Sequence, residues 1–183
     1  DSEQPVFAED EPFRITARAN SHYSGSQDAY GFAGTTGIAN RNASVAYTGS
    51  YQTGDELRIP GGTVSGTRFE IDQHGLLLSA RDDELGVFSL DGGLGHTDYA
   101  GTPALMMDIT KDSSQHVGGR WSGNLGFAQL EARGYWHHID HVMDNFTLRP
   151  NAGSMRNPRS RSPASGSSIR SDCCASTSSA YRR

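Results

Sequence analysis

The stretch Phe13-Arg14-Ile15-Thr16-Ala17-Arg18-Ala19-Asn20-Ser21-His22-Tyr23 decides the fold. Phe13, Ile15, Ala17, Ala19, Ser21 and Tyr23 share one parity; Arg14, Thr16, Arg18, Asn20 and His22 share the other. A period of two places successive side chains on opposite faces of a strand, so this run predicts a long strand with one apolar and one polar face. The same alternation returns at Ala43, Val45, Tyr47 and Tyr51, at Phe88, Leu90 and Leu94, at Val117 and Trp121, and at Ala128, Leu130, Ala132 and Trp136. In Arg68–Ala80 the residues Arg68, Glu70, Asp72 and His74 share a parity with Leu76, Leu78 and Ala80, as in a strand that leaves an apolar band for water. Short turn signals fall at Thr53-Gly54-Asp55, Arg81-Asp82-Asp83 and Asn124-Leu125-Gly126. Longer polar connections are expected over 24–40, 59–66 and 98–112. No helical periodicity is present. The expected fold is all-β: an antiparallel up-and-down meander of about six or seven strands.

Alternation alone leaves two architectures open. A soluble β-sandwich hides its apolar faces, and its expected role is that of a binding module. A transmembrane barrel turns them to lipid and its polar faces to a wet lumen. Three features favour the barrel wall. The strands are longer than the usual five or six residues. The apolar faces are rich in Ala, Gly and aromatics. The opposite faces carry Arg, Glu, Asp and His at successive same-face positions. Six or seven strands fall short of the eight or so that close the smallest bacterial barrels, so the reading is a partial, unclosed wall.

Composition narrows function. The formal charge is −5, hydrophobic residues are 34% of the chain, and Gly numbers 22 among 183 residues. A general nucleic-acid binder would be basic, so no nucleic-acid partner is expected. No run of about 18 apolar residues offers a transmembrane helix, and Asp1-Ser2-Glu3-Gln4-Pro5 does not read as a signal peptide. GxSxG, HExxH and P-loop signatures are missing, and no enzymatic activity is expected. Composition changes near Asn157. Residues 1–156 read as the barrel portion. Residues 157–183 are Ser- and Arg-rich, include the adjacent Cys173 and Cys174, and are expected to be disordered. A basic arm or a change of reading frame are the two accounts of that tail.

The segment Tyr135-Trp136-His137-His138-Ile139-Asp140-His141-Val142-Met143-Asp144-Asn145-Phe146 is rich in histidine. On a strand His137, His141 and Met143 share the face of Arg133 and Tyr135, while His138 and Asp140 point the other way. Imidazole and thioether at i and i+2 suit a soft metal, above all copper(I), and the pair needs further ligands. Met106-Met107 is a second, weaker thioether signal whose simplest account is loop packing.

Ala104-Leu105-Met106-Met107-Asp108, the strand Phe127–Trp136 and Asp140-His141-Val142-Met143-Asp144-Asn145-Phe146-Thr147-Leu148-Arg149-Pro150 together resemble the TonB-dependent copper receptors of the bacterial outer membrane. The resemblance covers roughly residues 10–156. It implies a barrel of about 22 strands with an N-terminal plug, outer-membrane location, contact with outer-membrane lipid, and import of copper driven by the TonB complex. It further implies that His141 and Met143 are the barrel half of a copper site whose Cys and Met ligands belong to the plug. The plug, its ligands and the TonB box lie outside this sequence. A receptor of the same architecture for another ligand, such as a siderophore, is the neighbouring alternative.

Overall fold

The structure is a computed structural model that describes residues 6–9, 11–124, 129–150 and 159–174. Among these residues there is no helix. Eight strands form one antiparallel sheet: β1 (Arg14–Ser24), β2 (Ala29–Ala39), β3 (Ala43–Gly54), β6 (Phe69–Asp82), β7 (Gly86–Ala100), β8 (Asp108–Asn124), β9 (Gln129–Asp144) and β10 (Arg159–Cys174). Each pairs with the next in chain order, and the sheet does not close on itself. A small hairpin, β4 (Leu57–Ile59) with β5 (Gly62–Val64), stands on the connection between β3 and β6.

The registers carry the sequence alternation across the whole sheet. One row runs Ile15, Ile38, Val45, Leu78, Leu90 and Gly119, with Gly134 on β9 completing it. The row beside it runs Ala17, Thr36, Tyr47, Leu76, Gly92, Val117 and Trp136. All of these lie on one face, and their large apolar members are exposed, Ile15, Ile38, Leu90, Val117 and Trp136 among them; Phe32 and Leu94, on the same face, are exposed as well. The apolar belt reaches Tyr23 and Tyr30 on β1 and β2 but ends at Trp136 on β9, beyond which come His138 and Asp140.

The opposite face carries Arg14, Arg18, Asp91, Glu131 and Arg133. It is the concave one. A trough of ≈ 400 Å³ on this face is lined by Ala46 and Thr48 of β3 and also by Arg133 and Tyr135 of β9. Strands four ladders apart share a cavity only when the sheet curls toward that side. On the same face Arg120 of β8 and Glu131 of the adjacent β9 pair at 3.0 Å, and Arg133 adds a second guanidinium to the same carboxylate.

The alternative architecture, a β-sandwich, is not what forms, since among the described residues no second sheet covers the apolar face. Buried apolar residues among those described are Phe7, Ala8, Ala29 and Ala39. The chain exposes 12798 Å², whereas a compact globular protein of its mass would expose about 8,600 Å². Among the described residues the apolar face is therefore left uncovered.

Two expectations need correction. The 24–40 connection contains β2, whose alternating Tyr30, Phe32, Thr36 and Ile38 are interrupted by Gly31, Gly34 and Gly37. The tail expected to be disordered forms β10 from Arg159 to Cys174, paired along its length with β9. A ladder needs main-chain donors and acceptors rather than apolar side chains, and an exposed strand edge supplies them. Arg159 and Arg161 add ion pairs to Asp144 at 3.2 Å and Asp140 at 3.5 Å. The remaining tail, 175–183, lies outside the described residues.

Candidate metal-binding wall

Short connections join the strands at one end of the sheet, at 40–42, 83–85 and 125–128, and mostly longer ones at the other. The long end is where β9 finishes, and two clasps order it. Asp108, fully buried, accepts from Arg149 Nε at 2.6 Å, from Arg149 Nη2, and from the Thr102 amide at 2.8 Å. Arg149 also donates to the Leu105 and Thr102 carbonyls, each at 3.2 Å. Its hydrogen bonds to Asp108 hold the guanidinium charged above its ordinary range, against the cost of its partial burial. Asp144, also fully buried, accepts from the Phe146 amide at 3.1 Å, the Thr147 amide at 2.9 Å and the Thr147 hydroxyl at 2.7 Å. Nearby, the β1–β2 turn is tied to the β3–β6 connection. Asp28 accepts from Tyr23 Oη at 2.9 Å and pairs with Arg58. These bonds, Tyr23 first and then Arg58, hold the Asp28 carboxyl below its usual range.

His141 and Met143 sit on β9 just before this clasped end, on the concave face that also carries Arg133 and Tyr135. Across the ladder His141 faces Asp112 and Met143 faces Ile109 of β8. His141 Nδ1 lies 2.7 Å from Asp112 Oδ2, both side chains being about one-quarter exposed at 26% and 27%. On the β10 side their partners are Ser162 and Ser160. The pair is thus brought together as the alternation predicts, beside a carboxylate that sequence reading did not single out. Nothing in the spacing of Asp112 marks it; only the β8–β9 register does.

The other candidates lie elsewhere. His138 and Asp140 are on the convex face, where His138 stacks on Trp136 with ring centroids 6.2 Å apart. His137, concave, stacks on Tyr135. Met106 is almost fully exposed in the 101–107 connection. Cys173 and Cys174 pair with Leu130 and Gln129, about 40 Å along β9 from the His141–Met143 pair at the strand rise per residue, so they cannot share its ligands. Among the described residues, no cluster of three or more His, Cys, Asp or Glu side chains is poised around a metal position.

An open antiparallel wall with an exposed apolar convex face and a charged concave face is a segment of a β-barrel with membrane-type sidedness. No family model matches the chain. No curated protein matches it either. Among solved structures, the copper transporter OprC shares this fold with a TM-score of 0.73 over 93% of the chain, at 22% identity. The match spans 27% of that transporter, so this chain corresponds to about a quarter of its length.

Proposed function

We propose that this chain is part of the wall of an outer-membrane TonB-dependent receptor that binds and imports copper, with His141 and Met143 supplying two of the ligands. The observation that carries this reading is the projection of an imidazole and a thioether, two residues apart, from the concave face of a barrel wall. A thioether is a soft donor that does not compete for protons, and imidazole is a compatible partner; together they suit copper(I) rather than magnesium or calcium, which take oxygen ligands. Two donors leave the ion exchangeable, which suits a cargo in transit, and further ligands would come from outside this wall. The exposed convex belt is suited to outer-membrane lipid, and energy for import would come through the TonB complex acting on the whole receptor. The likeness to a copper transporter agrees with this reading at the level of fold.

The test is made in an intact receptor carrying this wall. The double change His141→Ala and Met143→Ala should abolish tight copper(I) binding and copper uptake while barrel assembly, read by heat-modifiable electrophoretic migration, stays intact. Undiminished copper affinity in the double variant would remove the pair from the site. Binding of a ferric siderophore but not of copper by the unaltered receptor would move it to another cargo.

A further inference from the structure

We propose that Asp112 is the positioning residue of the His141–Met143 pair: it holds His141 in the Nδ1–H tautomer, so that Nε2 is the atom offered to the cation. The inference rests on the reading of that pair as copper ligands and names how one of them is prepared.

The argument begins with the register. Asp112 and His141 are direct cross-strand partners on the concave face, and Oδ2 lies 2.7 Å from Nδ1. An ionised carboxylate only accepts hydrogen bonds, so the proton between them belongs to Nδ1. Neutral imidazole carries one N–H, which leaves Nε2 with its lone pair free. Among the described residues His141 is the only side chain bonded to Asp112. The neighbouring Lys111 points to the other face and does not compete for it.

A local irregularity adds to this. The β8–β9 register shifts between Ile109 and Lys111, so β8 carries one extra residue, Thr110, opposite the β9 stretch that holds the pair. Without it, Thr110 would stand opposite Met143. With it, Ile109 faces the thioether and Thr110 donates to the Val142 carbonyl at 3.3 Å, while Asp112 keeps its place opposite the imidazole. Bulges are features that re-aim side chains. Here the bulge gives the sulfur an apolar neighbour, next to the anionic one that the unshifted register gives the ring. A carboxylate behind a ligating imidazole fixes its orientation and raises its donor strength, and losing such a partner typically weakens metal binding about 10- to 100-fold.

The experiment uses the full chain in detergent micelles, with silver(I) as a redox-inert probe. Ring nitrogens are followed by 15N NMR at pH 8, the His141 signals being assigned by their loss in His141→Ala. Asp112→Ala should shift His141 toward the Nε2–H tautomer without metal and weaken silver(I) binding about 10- to 100-fold. Asp112→Asn keeps an oxygen acceptor and should restore both the tautomer and most of the affinity. An unchanged tautomer in Asp112→Ala overturns the proposal. So does unchanged silver affinity in Asp112→Ala when His141→Ala abolishes binding. If His141→Ala leaves silver binding untouched, the ligand reading itself fails, and the metal-free tautomer still reports separately whether Asp112 sets the ring.

Discussion

Leu90→Arg tests the sidedness of the wall most directly. Leu90 is 50% exposed in the middle of β7's convex face, with Leu78 as its partner on β6 and Gly119 on β8. No neighbour is placed to satisfy a guanidinium there. The belt on β7 runs from Phe88 to Leu94, about 20 Å along the strand, which puts Leu90 about 7 Å from its nearer margin. An arginine facing lipid costs about 2–4 kcal/mol at the midplane and less toward the interfaces. At this depth the expected penalty is about 2–3 kcal/mol, or about 30- to 160-fold in the folding equilibrium. Ala46→Arg is the control. Ala46 lies within one residue of the same row but lines the concave trough, where a long cation meets water and open volume, so its cost should stay below about 1 kcal/mol. Guanidinium titration of the chain folded into phosphatidylcholine vesicles reads both. Equal penalties, or a larger one for Ala46→Arg, would refute the assignment of the convex face to lipid.

Removing the cation of the buried clasp with Arg149→Met should cost about 3–5 kcal/mol, because Asp108 is left charged and unpaired; hydrogen exchange at Thr102 and protease cutting in 101–107 report it. Asp28 has a folded pKa below its unfolded one, so its stabilisation of the β1–β2 turn is fully present above the unfolded carboxylate value and is lost as pH falls through the folded one. The protection of the Asp55 and Arg58 amides against exchange, relative to an unfolded chain at the same pH, should therefore fall in acid, since both bond to this turn, and Asp28→Asn should remove that pH dependence. Gly86 has φ of 88° in the β6–β7 turn, and a Cβ there would collide with the Ser122 carbonyl. Gly86→Ala should then destabilise the hairpin beyond the roughly 1 kcal/mol typical of a strained turn residue, seen as a lowered guanidinium midpoint. In buffer without detergent the chain should aggregate, because none of the described residues covers the apolar belt; a monodisperse monomer on size exclusion would contradict that.

Facing was legible in the sequence because a period of two leaves no freedom: once Ile15, Val45, Leu90 and Trp136 are on one face, Arg14, Asp91 and Arg133 must be on the other. The parity of His141 and Met143 with Arg133 followed in the same way. Strand β2 was hidden because Gly has no side chain to register in an alternation, and three of its eleven residues are Gly. Strand β10 was hidden for a different reason. Its Ser-rich sequence has no facial pattern, and what places it is the free edge of β9 together with Asp140 and Asp144. Asp112 and the Arg149–Asp108 clasp depend on register and on contacts between distant connections, which local pattern does not encode.

The slanted margin of the apolar belt has a geometric meaning. Between β1 and β9 that margin falls by three rows, about 20 Å along the strands. It does so across six ladders, about 29 Å. A flat membrane surface drawn through Tyr23 and Trp136 therefore crosses the hydrogen-bond rows at about 35°, and the strands lean from the membrane normal by that angle, at the shallow end of the range for such barrels. Along a strand so inclined, the five residues from Trp136 to His141 climb about 14 Å. The imidazole and thioether then stand beyond the apolar belt, on the long-connection side of the wall.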